Sequence, residues 1–305
     1  MNVELRPPAR ADAAAISEAL NAFNRPAEAP LDSPEDVLNW LDMPALDAER
    51  DMRVALVEGH IVGYGEACDI SGNGRNLVGD IRADPAHPEA SAALLGFVEE
   101  RAREQVEDGG KLMIWVPEKA EATAGLLESR DFVLRRYSLR MFANLGGEPP
   151  APVWPEGISV RTYRGSEDDR PVYDLEQETF ADQLDWEAES FEDWWHWAHR
   201  EPFEPALWFL AEADGALVGF ALCRGQWGGD ESVGWVSAIG VQRSWRRKGL
   251  GTALLLHAFG ELRARGRARV GLGVQAENPT GAVQLYERVG MSVERRILWY
   301  EKAVG

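Results

Sequence analysis

Arg246, Arg247 and Lys248 stand directly before Gly249 and Gly251, in the stretch VQRSWRRKGLGTALL from Val241 to Leu255. An apolar, strand-like run, Trp235 to Val241, leads into it. A helical pattern leads out, with Gly251, Leu254, Leu255, Ala258, Phe259 and Leu262 recurring at helical spacing. The N-terminus of such a helix has unpaired N–H groups and the positive end of the helix dipole, so it attracts phosphate. Glycine lets the backbone approach an anion and adopt dihedrals closed to other residues. The chemistry suggested is the gripping of a pyrophosphate. A glycine pair at a helix start also occurs in ordinary tight turns, so the reading needs a second signal.

That signal follows a second strand-like run, Val270 to Gln275, and reads NPTGAVQLYERVGM, Asn278 to Met291. Asn278 suits an N-cap and Pro279 a first helical residue. Ala282, Leu285, Tyr286 and Val289 share one helical face, and Gly290 can end the helix. Alone, Tyr286 reads equally well as a core aromatic. The pattern R-x-x-G-x-G, met by Arg246, Gly249 and Gly251, lacks the ending of a P-loop and the third glycine of a dinucleotide fingerprint. It resembles the coenzyme A pyrophosphate loop of the GNAT acyltransferase superfamily. L-Y-E-x-x-G from Leu285 to Gly290 looks like the second signature of that family.

The resemblance implies an acetyl-CoA-dependent N-acetyltransferase. Arg246, Arg247, Lys248, Gly249, Leu250, Gly251 and Thr252 would hold the cofactor's pyrophosphate. The strands before these two motifs would splay apart. The pantetheine arm would then add to the exposed edge of the first, around Ile239 and Val241, as β-augmentation by a cofactor. A backbone N–H there would polarise the thioester carbonyl. Tyr286 would protonate the leaving thiolate, and Asn278 would cap its helix and reach the cofactor. The amine attacks directly, so no enzyme nucleophile is required. A coenzyme A-binding regulatory or scaffold protein without turnover is the alternative.

The chain has 305 residues, 45% of them hydrophobic, which suggests about two domains with real cores. Its net charge of −19 argues against nucleic acid and against an anionic membrane surface. No apolar run approaches a membrane span, and no signal-peptide core opens the chain. The expectation is a cytoplasmic protein, monomer or homodimer, acting on a small-molecule amine. Cys68 and Cys223 sit in apolar, strand-like contexts and read as buried free thiols.

In the first half, strands are expected at 3–6, 52–57, 61–68, 76–81, 112–116 and 132–142. Helices are expected at 11–23, 33–40, 90–106 and 121–129. GGEPPAPVWPEG, Gly146 to Gly157, reads as a linker. The second half then repeats the first: EGHIVGY returns as DGALVGF, and LLESRDF as LYERVGM. The predicted fold is α/β, with two tandem GNAT-like modules, each a mixed, mostly antiparallel central sheet flanked by helices. Residues 1–145 form a degenerate module, 146–157 the linker and 158–305 the catalytic module. Two such modules in tandem resemble mycothiol synthase and its relatives. In the first copy no repeat register supplies the phosphate-loop glycines, and Leu127 corresponds to Tyr286.

The general base is not evident. By the resemblance a glutamate on the fourth strand should serve, but the best register against that family puts Trp235 there. Asp230, Glu231 and Glu178 are the nearby carboxylates, each equally readable as a solvated surface charge. Between Gly165 and Gly215 stand 16 Asp and Glu against two Arg, with Trp186, Phe191, Trp194, Trp195 and Trp197 among them. This is either an amphipathic helix with a solvated face or an anionic, aromatic mouth for a cationic amine. His196 and His199 lack a third partner for a metal, and no metal is expected.

Overall fold

The computed structural model describes all residues except Met1, Ile70, Ser71, Asn73, Glu107, Asp108, Leu184, Asp185, Pro279 and Gly305. Pro279, named above, and Asp185, one of the 16 carboxylates of the acidic stretch, therefore lie outside the described residues. The chain forms two compact units, Met1–Tyr137 with Arg296–Gly305, and Ser138–Arg295.

The first unit runs β1 (Glu4–Arg6), α1 (Ala13–Asn24), α2 (Pro34–Leu41), α3 (Ala48–Asp51), β2 (Met52–Val57), β3 (His60–Cys68) and β4 (Asn76–Ala83). It continues through α4 (Pro88–Gln105), β5 (Lys111–Pro117) and α5 (Glu121–Glu128) into β6 (Val133–Asn144). Local chemistry explains several of these boundaries. Ser33 caps α2 by accepting from the Asp36 N–H, and Asp36 answers the Ser33 N–H in a capping box. Glu58 and Gly59, both at positive φ, make the tight turn between β2 and β3.

The second unit contains β7 (Ile158–Thr162), α6 (Ser166–Phe180), α7 (Phe191–Ala198), β8 (Trp208–Ala213), β9 (Ala216–Arg224) and β10 (Val233–Val241). Then come α8 (Leu250–Ala264), β11 (Arg269–Gln275) and α9 (Ala282–Arg288), and β12 (Ser292–Ala303) carries the chain back into the first unit from Arg296 on. Strand pairing repeats between the units. In the first, β1, β2, β3 and β4 pair antiparallel in order, β4 pairs β5 in parallel, and β5 pairs β12 antiparallel. In the second, β7, β8, β9 and β10 pair antiparallel, β10 pairs β11 in parallel, and β11 pairs β6 antiparallel.

This arrangement corrects the expected boundaries at 145 and 158. The closing strands are exchanged between the two copies. Residues 138–144 of β6 lie on β11, and Leu139, Met141, Ala143 and Leu145 alternate into the second core beside Leu254, Phe259 and Leu272. Residues 297–303 of β12 lie on β5, with Tyr300 in the first core beside Leu127 and Phe132. Alternating side chains define which face of a strand is apolar, but not which sheet edge it joins.

No helix among the described residues is long and apolar enough to cross a membrane. Cys68 and Cys223 are buried free thiols, and burial pushes the Cys223 thiol well above its ordinary range.

Candidate active site

β10 and β11 pair only from Val233↔Arg269 to Val236↔Leu272, although β10 runs on to Val241 and β11 to Gln275. On its other side β10 stays paired with β9 to Val241, across a bulge between Val236 and Ala238. Among the described residues the inner edge of Ser237–Val241 has no strand pairing, and it offers alternating N–H and C=O groups to an extended ligand. A groove of about 550 Å³ occupies this opening.

The glycine loop before α8 lines the groove beyond the end of β10. Arg247 has φ +62° and Gly249 φ +90°, both in the left-handed region. Gly249 is the N-cap of α8, and the first helical bond runs from Ala253 N–H to Gly249 O at 3.0 Å. The N–H groups of Leu250, Gly251 and Thr252 precede that bond and have no acceptor within the helix. A β-carbon on Gly251 would lie 3.3 Å from Leu285 of α9, so glycine lets the helix start sit against the tyrosine helix. This donor set, with Arg247 and Arg288 on the lining, suits a diphosphate such as that of coenzyme A.

Of the predicted residues, Ile239, Val241, Arg246 and Arg247 line the groove, as do Gly249, Gly251, Thr252, Asn278 and Tyr286. Two do not. Leu250 is 1% exposed and belongs to the core. The Lys248 ammonium sits 4.7 Å over the Trp245 ring. Arg246 reaches the lining with its guanidinium already engaged: Nε donates to Val241 O at 3.0 Å, Nη1 to Asp182 at 2.5 Å and Nη2 to Thr179 O at 3.2 Å. Asp182 also pairs with Arg243, and the two guanidiniums hold its carboxyl below the usual range. Arg246 thus ties the loop to the end of α6.

Asn278 does not cap α9. Its Oδ1 accepts from the Thr280 N–H at 2.9 Å, and the helix begins four residues later with Gly281, at φ +78°, as N-cap. Tyr286 is 6% exposed, and burial pushes its phenol up to about 12. It stays protonated at neutral pH, as a proton donor must.

A second cavity, of about 130 Å³, shares Ser237 and Ala238 with the groove. Glu176, Glu189, Trp194 and Trp197 line it. Trp194 Nε1 donates to Glu176 Oε2 at 2.9 Å. Desolvation raises Glu176 to about 7, with Glu189 adding to the rise, and desolvation with help from Asp193 raises Glu189 to about 7. The carboxylates singled out in the sequence lie elsewhere: Glu178, Asp230 and Glu231 are exposed, and Asp230 caps the Ser232 N–H at 2.9 Å. Trp235 stacks on Trp227 at 5.0 Å.

The acidic stretch is largely consumed internally. Asp168 pairs with Arg161, Asp174 with Arg170, and Asp169 accepts from Tyr163 and Trp195. Glu176, Glu189, Trp194 and Trp197 come together in the second cavity as an anionic, aromatic lining. His199 packs among Tyr163, Trp195, Phe203 and Trp208. Among the described residues no group of three or more His, Cys, Asp or Glu could hold a metal ion.

The first unit has the same opening without the grip. β4 and β5 pair only over Asn76–Gly79, but α4 starts with Pro88, which has no N–H, and Glu89 occupies its first turn. Leu127, at the tyrosine's repeat position, is fully buried.

An open strand pair, a glycine-capped helix start and a tyrosine on the facing helix match the acyl-CoA-dependent transferases of the GNAT class. The Acetyltransferase (GNAT) family model matches residues 170–291. A mycothiol acetyltransferase of Thermomonospora curvata is 31% identical over 243 residues, 78% of each chain. One from Thermobispora bispora is 35% identical over 191 residues, 61% of this chain and 64% of that one, so the match spans a little under two thirds of that relative. A GCN5-related N-acetyltransferase from Sphaerobacter thermophilus superposes with TM-score 0.75 at 27% identity, over 99% of this chain and 95% of the other. A tandem GNAT protein from the clavulanic acid biosynthesis pathway shares the fold, with TM-score 0.75 at 19% identity over 100% and 99% of the two chains. The chain belongs to the GNAT family of acetyltransferases, and its fold is the tandem one.

Proposed function

We propose that the protein transfers the acetyl group of acetyl-CoA to the primary amine of a small molecule, and that the second unit carries out the transfer. The observation that carries this reading is the opening of β10 from β11 beyond Val236 and Leu272, with Gly249 and the α8 N-terminus at its end and Tyr286 on its wall. In this reading the N–H groups of Gly249–Thr252 and the guanidiniums of Arg247 and Arg288 hold the diphosphate. The edge at Ile239 and Val241 takes the pantetheine arm and polarises the thioester carbonyl. Tyr286 gives its proton to the departing sulfur, and Asn278 stands beside the cofactor.

The relatives are named for mycothiol, so an amine related to mycothiol is the first acceptor to test. Glu176, Glu189 and the two indoles favour an acceptor that presents a cation. Titration of free thiol released from acetyl-CoA, over a panel of primary amines, tests the proposal. Amine-dependent thiol release supports it. Tight acetyl-CoA binding without release from any amine would support a coenzyme A-binding regulatory protein instead.

A further inference from the structure

β10, VGWVSAIGV, has no carboxylate, so a carboxylate that accepts the attacking amine's proton must come from another element. We infer that Glu176, on α6, is that proton acceptor, and that the cavity it shares with Glu189, Trp194 and Trp197 seats the acceptor's ammonium group. The inference rests on the reading of the groove as an acyl-transfer site.

Position is the first support. The cavity and the groove have Ser237 and Ala238 as a common wall, and these residues lie where β10 bulges and leaves β11. A nitrogen held between Glu176 and that wall is adjacent to the edge that would carry the thioester. The second support is the hydrogen bonding of the carboxylate. Trp194 fixes one oxygen at 2.9 Å, and the other has no hydrogen-bond partner among the described residues. An oriented carboxylate with one free oxygen suits proton transfer. The third is basicity. An alkylammonium has a pKa of roughly 10, and an ordinary carboxylate, near roughly 4, is a poor base for it. Burial raises Glu176 to about 7, which narrows the gap while leaving the group substantially ionised at neutral pH.

Other charged groups bear on this carboxylate. Glu189 precedes α7, and Asp193 lies on α7. Arg200 and Arg224 also line the cavity; Arg200 donates to Trp197 O and Arg224 to Arg200 O at 2.8 Å, bracing the wall. Selection of an ammonium comes from contact with Glu176 and the indole faces of Trp194 and Trp197.

The proton account closes. Glu176 accepts one proton from the ammonium. The freed nitrogen pair forms the C–N bond to the acyl carbon as the C–S bond breaks, and the sulfur takes the proton of Tyr286. The second nitrogen proton restores the phenol through solvent, and Glu176 returns its own to water. The net change is ammonium plus thioester to amide, thiol and one proton.

The Trp194 indole N–H reports the Glu176 carboxyl directly. In 15N-labelled protein its resonance is expected to titrate with a midpoint near 7, and to move when methylammonium is added with coenzyme A present. In Glu176→Gln, which keeps an acceptor for the indole, both responses are expected to vanish. Thiol release with the fastest amine of a panel should fall on the acid side with the same midpoint. Glu176→Gln should lose that limb and about 10²-fold in rate, with acetyl-CoA affinity unchanged by calorimetry. A variant with the wild-type rate and pH limb overturns the inference. So does an indole resonance constant from about pH 5 to about pH 9, or one unmoved by methylammonium. Failure of the wild-type protein to bind acetyl-CoA would strike the acyl-transfer reading and not this assignment.

Discussion

In the proposed reaction Tyr286 and Glu176 have opposite tasks with a proton, and burial serves both. Loss of water disfavours the charged form of each. The phenol, pushed to about 12, remains a donor, while the carboxyl, raised to about 7, becomes a stronger base. Tyr286→Phe should lower kcat by about 10²- to 10⁴-fold and leave acetyl-CoA affinity within a few fold, as steady-state kinetics and calorimetry would show. Because the phenol ionises only near 12, the alkaline side of the wild-type kcat/KM profile should stay flat to about pH 10. A fall near neutral pH would remove Tyr286 as the donor. The tyrosine is legible in the sequence because it stands in LYERVG, a local motif. Glu176 is less so, since it hides among 16 carboxylates. Its signal is positional: with Val172, Leu175 and Thr179 buried, it occupies an inward-facing place on α6. Arg246 shows the converse. Its charge is plain from sequence, but its use is set by Asp182 and Thr179, which are distant in the chain and brought close only by folding.

At the scale of elements, the strands and helices were readable from hydrophobic periodicity, and their pairing was not. β6 and β12 each carry an alternating pattern that would suit either sheet, and nothing local to them specifies an exchange. The exchange has a consequence for truncation. Removing 292–305 takes away the partner of β5 and Tyr300, which donates to Glu128 at 2.9 Å. Hydrogen exchange should then show lost protection in Lys111–Pro117, in the half of the sequence far from the cut. Retained protection there would mean that β12 is dispensable to the first unit. The start of α9 was misplaced for a related reason. Asn278 has the chemistry of a cap, but it spends its side chain on Thr280, and Gly281, in a left-handed conformation, begins the helix.

At the scale of the whole molecule, two copies of one design have diverged in what their openings can hold. The tandem fold was legible from the repeat, as was the absence of the loop glycines from the first copy, because both rest on residue identities at matched positions. The buried charge of the first unit was not. Glu66 accepts from Tyr64 at 2.5 Å, and desolvation, with Asp80 nearby, raises it to about 7 from 4.5. A carboxyl raised on folding contributes stability below its unfolded pKa that is lost as pH rises through the folded one. Glu66→Gln, which still accepts from Tyr64, is therefore expected to raise the melting temperature by a few degrees at about pH 8 and to change it little at about pH 4.5. Equal effects at the two pH values would show that Glu66 is not ionising in this window. The central claim, that one glycine-capped groove in the second unit is the acyl-CoA site, is most directly tested by calorimetric titration of acetyl-CoA into the wild-type chain and into Gly249→Glu. At φ +90° a side chain is strained, and a carboxylate there would repel phosphate. The expected result is one tight site per chain, weakened by about tenfold or more in a variant that remains folded by circular dichroism. Two equal tight sites, or unchanged affinity in the folded variant, would contradict it.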